Sequence, residues 1–161
     1  MGTSAFVGLK LIKEMATMIK FRAWDKENGI YLYNVQDAYD TLSGFVKYDD
    51  GEDAEYDEVC FGDFLDNERY DVEQFTGLKD MNGNEIYAGD ILHFGSMWCV
   101  GDEYDPREEE HTGFVEYRQD YASYVVNCNG KIFPLEQVIS FDGYSVHGNV
   151  HENPELLEAD K

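Results

Sequence analysis

Ile19, Phe21 and Ala23 alternate with Lys20 and Arg22, the two-residue period of a half-buried strand. Asp25-Lys26-Glu27-Asn28-Gly29 then reads as a turn and Ile30 to Tyr33 as a returning strand, so residues 18–35 predict a hairpin. Trp24, Tyr31 and Tyr33 on it suit cross-strand packing better than a binding platform. Val35, Ala38, Tyr39 and Leu42 have helical spacing, and Phe61 to Leu65 predicts a short helix or turn. From residue 86 the apolar runs are short and closely spaced. They predict strands near 86–94, 97–100, 113–118, 122–127, 131–133, 138–141 and 145–150, with Asn129-Gly130 as a hairpin turn. Gly101 to Thr112 reads as a long exposed loop. Upstream, Phe6, Leu9, Ile12 and Lys13 suit a short helix in residues 1–17, to which no function is assigned.

The densest stretch is Gln74 to Ile91, QFTGLKDMNGNEIYAGDI. Asn82-Gly83 is the pair that best tolerates the positive φ of a type I′ turn, and Thr76-Gly77 and Ala88-Gly89-Asp90 punctuate the chain on either side. The economical reading is a short hairpin, a tight turn and entry into a new β unit. Asp90 is expected to fix its turn by accepting backbone N–H bonds rather than to do chemistry. Asp80, Asn82 and Asn84 alternate as in an EF-hand loop, but the sixth position is Glu85 instead of Gly and the twelfth is Ile91 instead of Glu, which excludes that site.

Four pieces of the chain together resemble the YopX-like proteins of phages and prophages. They are Ile19-Lys20-Phe21-Arg22-Ala23-Trp24-Asp25, the block from Gln74 to Ile91, Gly113-Phe114-Val115-Glu116-Tyr117, and the run from Val146 to Leu157. The resemblance starts at Met18 and extends close to the C-terminus. It implies a mainly β protein with minor α content, an N-terminal β-hairpin region followed by an SH3-like small barrel, and it implies no reaction. On that reading residues 1–17 are an extension, 18–73 an N-terminal β region with an acidic variable segment, 74–152 the barrel and 153–161 a tail that frays beyond Leu157. Phe133-Pro134-Leu135-Glu136 is similar to the brief turn that precedes the last strand of such barrels.

Charge changes the picture most. Thirty-four acids against twelve bases leave a formal charge of −22, with 43% hydrophobic and 15% aromatic residues to support a core. Nucleic acid and anionic membranes both select for Lys and Arg, so direct binding to either is disfavoured. Lys20, Arg22, Lys26, Lys79, Arg118 and Lys131 are the cations a hidden basic face would need. A basic protein is the favoured partner, although solubility alone would also account for the charge. Twelve acids and one Arg lie between Asp49 and Glu73, interrupted by Tyr56, Val59, Phe61, Phe64, Leu65 and Tyr70. Those apolar anchors predict a segment docked on the body instead of a disordered acidic tail. The candidate partner-binding carboxylates are Asp49, Asp50, Glu52, Asp53, Glu55, Asp57 and Glu58 in this segment, and Asp102, Glu103, Asp105, Glu108, Glu109 and Glu110 in the later loop.

Catalytic and cofactor signatures are absent from the sequence: no nucleophile elbow, P-loop or dinucleotide fingerprint occurs. No enzyme activity, cofactor or metal is therefore expected. Cys60, Cys99 and Cys128 are widely separated and odd in number, which fits a reducing cytoplasm, and Cys99 beside Trp98 reads as buried. Neither a signal-peptide pattern nor an apolar run long enough for a membrane span is visible. His147 and His151 lie four apart, but Gly148 and the β-branched Val146 and Val150 argue for a strand, on which they would be about 13 Å apart and unable to share a metal. The alternative function is a small-ligand or nucleotide-binding barrel, or a minor enzyme, using an aromatic pocket drawn from Tyr87, Trp98, Tyr117, Tyr121 and Tyr124.

Overall fold

The computed structural model describes residues 19–39, 45–99, 106–141 and 143–158, with the backbone alone at 96–99 and 106–108. The expected helix within residues 1–17 lies outside them, as do Leu42 and the side chains of Trp98 and Cys99. The chain is mainly β, with two antiparallel sheets. It divides into two compact units between Gly77 and Leu78.

In the first unit β1 (Phe21–Asp25) and β2 (Ile30–Tyr33) form the expected hairpin, and β3 (Tyr70–Lys79) pairs with the other side of β1, from Phe21↔Gln74 to Asp25↔Tyr70. Ala23, Leu32, Val35, Ala38, Val46, Ala54, Phe64 and Tyr70 make its core. The predicted helix after β2 is a 3-10 turn, Val35–Asp37, and Phe61–Leu65 is helical as anticipated. One expectation fails on β1. Alternation puts Arg22 on the solvent side of β1, yet it is only 4% exposed. Glu73 bonds its Nε at 2.9 Å and the Tyr31 ring lies 4.2 Å from its guanidinium carbon, so a cation-carboxylate-phenol cluster covers that face. Tyr31 completes the cluster by donating its hydroxyl to Glu73 at 2.9 Å and meets Trp24 edge-on at 4.9 Å.

The second unit is a curled, half-barrel sheet in the order β8-β7-β6-β5-β9: β5 Asp90–Cys99, β6 Pro106–Arg118, β7 Ser123–Cys128, β8 Lys131–Pro134 and β9 Ser145–Asn149. Ile86, Leu92, Phe94, Val115, Val126, Leu135 and Val138 fill it. Asn129 and Gly130 both take positive φ, 56° and 95°, as the β7–β8 hairpin requires. Three local expectations are corrected. No strand forms over 138–141: a helical turn, Leu135–Val138, leads into a further turn there, with Leu135 and Val138, three apart, both in the core. β6 begins at Pro106, so the second half of the anticipated acidic loop is strand, paired from Cys99↔Pro106 to Ile91↔Phe114.

The third correction concerns Asn82-Gly83. Gly83 has φ 84° but Asn82 does not join it among the positive-φ residues, so the link from β3 to β4 (Glu85–Tyr87) is not a type I′ turn. It is built around Asp80. The buried Asp80 carboxylate accepts the Asn82 and Asn84 N–H groups at 2.9 and 2.8 Å, the Asn84 amide at 3.1 Å, and the Val146 N–H at 2.9 Å. That last bond ties the turn to the start of β9. Asp90 does the same locally, as anticipated, accepting the Tyr87 N–H at 2.8 Å. Thr76-Gly77 lies inside the continuous β3, with Gly77 at φ 88°, a conformation that glycine reaches without strain. Pro154–Leu157, in the expected tail, forms a 3-10 turn beside β6. Among the described residues no helix is long and apolar enough to cross a membrane.

Candidate functional site

The first acidic segment is an ordered surface. Val46, Ala54 and Phe64 are buried in the core of the first unit, with Tyr48, Tyr56 and Phe61 packed against it, so the chain between them is held at several points. Phe64 contacts the rings of Tyr56 and Tyr70 at 5.7 and 4.8 Å, and Phe61 contacts Phe21 at 4.9 Å. Bridges at Tyr33↔Lys47 and Lys47↔Asp53 fasten its first half.

These anchors turn the carboxylates outward. Asp49, Asp50, Glu52, Asp53, Glu55 and Asp57 are exposed and Glu58 is half-buried. Several are locally oriented. Asp50 accepts the Glu52 N–H at 3.0 Å, the Tyr48 hydroxyl accepts the Glu55 N–H at 3.0 Å, and Glu58 accepts the Asp57 N–H at 3.1 Å. Glu58 also accepts the Tyr70 hydroxyl at 2.7 Å. Burial, with the Glu58 carboxylate beside it, pushes the Tyr70 phenol well above its ordinary value. Cations are scarce here. Among the described residues Asp53 pairs with Lys47, while Arg69 is taken up by Asp25, at 2.8 Å to each carboxylate oxygen, and by Glu27 at 3.2 Å. Arg69 holds the buried Asp25 carboxyl below the usual range.

The second acidic group, in the second unit, is less of a patch than the sequence suggested. Asp102, Glu103 and Asp105 lie outside the described residues, and Glu108 is described only as a strand position. Glu109 and Glu110 are exposed on β6, where the two-residue alternation sends neighbouring side chains to opposite faces. Glu110 approaches His93, and Glu109 approaches the buried His111 at 4.0 Å.

A cleft of about 480 Å³ opens beside this strand, lined among others by Glu109, His111, Asn127, Cys128, Lys131 and Leu157. Gly113, between its lining residues Thr112 and Phe114, lets β7 approach closely: a Cβ there would lie 2.5 Å from the Asn127 carbonyl oxygen and 2.7 Å from Cys128 Sγ. The Cys60 thiol is free. The cleft was not legible in the sequence, because its walls come from β6, β7, β8 and the C-terminal 3-10 turn. The aromatic residues expected to form a pocket are not among its lining. Tyr87 is buried, Tyr117 and Tyr121 are exposed, and Tyr124 is half-buried against Tyr117 at 5.4 Å. Of the candidate basic residues, Lys20 lies over Phe75, Lys26 pairs with Asp71, Arg118 with Asp120 and Glu116, and Lys131 lies over Phe133.

Two comparisons bear on this architecture. The family model described as YopX protein matches residues 20–158. The crystal structure of protein EF1440 from Enterococcus faecalis is similar at 31% identity and a TM-score of 0.51, covering 86% of this chain and 97% of that one. Comparison with curated proteins gives no match. The family-model match covers most of the chain, and this protein belongs to the YopX family.

Proposed function

We propose that this is a phage- or prophage-encoded, non-catalytic interaction module that presents an acidic surface to a basic protein. A nucleic-acid-binding host or phage protein is the natural target, because ordered carboxylates can occupy a groove that reads phosphates. The observation that carries this reading is that the carboxylates of 49–58 are largely exposed and, among the described residues, only Asp53 pairs with a cation, yet the segment is held by Val46, Ala54 and Phe64 in the core. Such pre-ordering lowers the entropy cost of binding relative to a disordered acidic tail. Electrostatic steering over a Debye length of about 8 Å at physiological salt would assist association. The test is capture of a purified basic partner, recovered first from host lysate, across a salt series. Wild type should lose the partner as salt rises, and a variant with Asp49→Asn, Asp50→Asn, Glu52→Gln and Asp53→Asn should lose it at lower salt. Salt-independent capture, or equal capture by the variant, would overturn the reading.

The cleft beside Gly113 favours a second reading, a small-ligand site in the second unit. A thermal-shift screen with nucleotides and other small metabolites tests it: a shift abolished by Asn127→Leu supports a cleft ligand, and no shift with any compound removes the support.

A further inference from the structure

The four histidines of the chain are distributed by the sheet in a way their spacing does not suggest. His151, four residues from His147, falls in the turn after β9. His147 instead meets His93 of β5, with ring centroids 5.2 Å apart and planes inclined at 35°. The cause is a β-bulge. β9 pairs with β5 at Ile91↔Gly148 and then at Leu92↔Val146, so His147 is the extra residue. Without the bulge His147 would stand opposite Leu92, whose side chain is fully buried. With it, Val146 takes that place and packs on the core, and the exposed His147 is re-aimed to the outer face beside His93.

The surroundings prepare both imidazoles to act as ligands. His93 Nδ1 lies 3.0 Å from the Thr112 hydroxyl, and His147 Nε2 lies 2.9 Å from the Ser145 hydroxyl. A hydroxyl that accepts from one ring nitrogen fixes the tautomer and leaves the lone pair on the other. The Glu110 carboxylate, 80% exposed, is 3.8 Å from His93 Nε2. Two imidazoles on one tetrahedral ion, at metal–nitrogen distances of about 2.0–2.1 Å, have centroids roughly 5 Å apart, close to the separation found. No three His, Cys, Asp or Glu side chains are preassembled as a ligand set among the described residues. Here two imidazoles stand side by side, and the third candidate is the exposed Glu110 carboxylate near His93.

We propose that His93, His147 and Glu110 form a surface site for a divalent transition metal of the zinc class, with a fourth position left to water or to a donor from outside the chain. Imidazole nitrogen selects such ions over Ca²⁺ and Mg²⁺, which the many carboxylates would attract only diffusely. The experiment is titration of the chelator-treated full chain with Zn²⁺ by calorimetry and with Co²⁺ by visible absorption. One equivalent should bind, with the absorption of a nitrogen- and oxygen-ligated tetrahedral or five-coordinate ion. His93→Ala and His147→Ala should each weaken binding tenfold or more, and Glu110→Gln severalfold. His151→Ala should change nothing, and a tenfold excess of Ca²⁺ should not displace the metal. All three ligand positions are on the outer face, and equal melting temperatures of the variants in chelator would confirm intact folding. Unchanged affinity in the His93→Ala, His147→Ala double variant, or displacement by Ca²⁺, would overturn the proposal.

Discussion

Asp80 should be the most sensitive polar position of the second unit. Its carboxylate is buried and bonds three backbone N–H groups and one side-chain amide. Burial works against its charge, but the bonds from Val146, Asn84 and Asn82 outweigh that and hold the carboxyl below its ordinary value. In Asp80→Ala the Asn82 and Asn84 amides, in an exposed turn, can turn to water at little cost, whereas the Val146 N–H loses the bond that fastens β9 to the turn. Hydrogen bonds to a charged group contribute about 1.5–3 kcal/mol each, and with partial resolvation the expected loss is about 2–4 kcal/mol. Asp80→Asn keeps an acceptor and should lose about half as much. Urea unfolding gives the energies, and hydrogen exchange at Val146 gives the local signature, which should accelerate in both variants. Because the folded pKa is depressed, the charged form's stabilisation is present above the unfolded value of about 3.9 and lost as pH falls through the folded one. The gap between wild type and Asp80→Asn should therefore hold from neutral pH down to about 4 and narrow below it. A cost under about 1 kcal/mol for Asp80→Ala, or a gap that widens in acid, would refute the argument.

Phe64, fully buried against Tyr56 and Tyr70, holds the acidic segment; Phe64→Ala should cost about 3–5 kcal/mol and open residues 49–60 to limited proteolysis, read by mass spectrometry. Gly113→Ala forces a Cβ against the Asn127 backbone and should destabilise by about 1–3 kcal/mol in urea unfolding, where a neutral result would mean the strands can separate at no cost. The Tyr70 phenol, with its pKa raised, should remain protonated in an ultraviolet titration when exposed tyrosines have ionised. Its stabilising contribution should be complete below about pH 10 and fade as pH rises through the folded value, with Tyr70→Phe costing about 1 kcal/mol at neutral pH.

How far the fold was legible depends on the range of the interactions that decide each element. The β1–β2 hairpin, the Asn129-Gly130 turn, the Asp90 turn and the helix at Phe61–Leu65 are governed by neighbours in the chain, and all four stand where periodicity and turn chemistry put them. Arg22 was misread because alternation reports the faces of a strand and not what covers them; Glu73, fifty-one residues away, supplies the cover. Asn82-Gly83 was misread because a local preference for type I′ lost to a carboxylate that must also reach Val146, sixty-six residues on. The 138–141 strand failed because four apolar-rich residues carry no signal that separates strand from a helical turn closing a barrel.

The candidate sites divide in the same way. The acidic segment was visible in the sequence, since charge density and interleaved apolar residues are properties of composition and spacing. The two-histidine cluster was not. The sequence brings His147 close to His151, but β9 ends at Asn149 and His151 falls in the turn beyond it, whereas neighbouring strands lie about 5 Å from one another. Chain order alone therefore determined the family, the β character and the charge. Only the tertiary structure decided which side chains share a surface, because a single extra residue in β9 sends His147 to the face that holds His93 and Glu110.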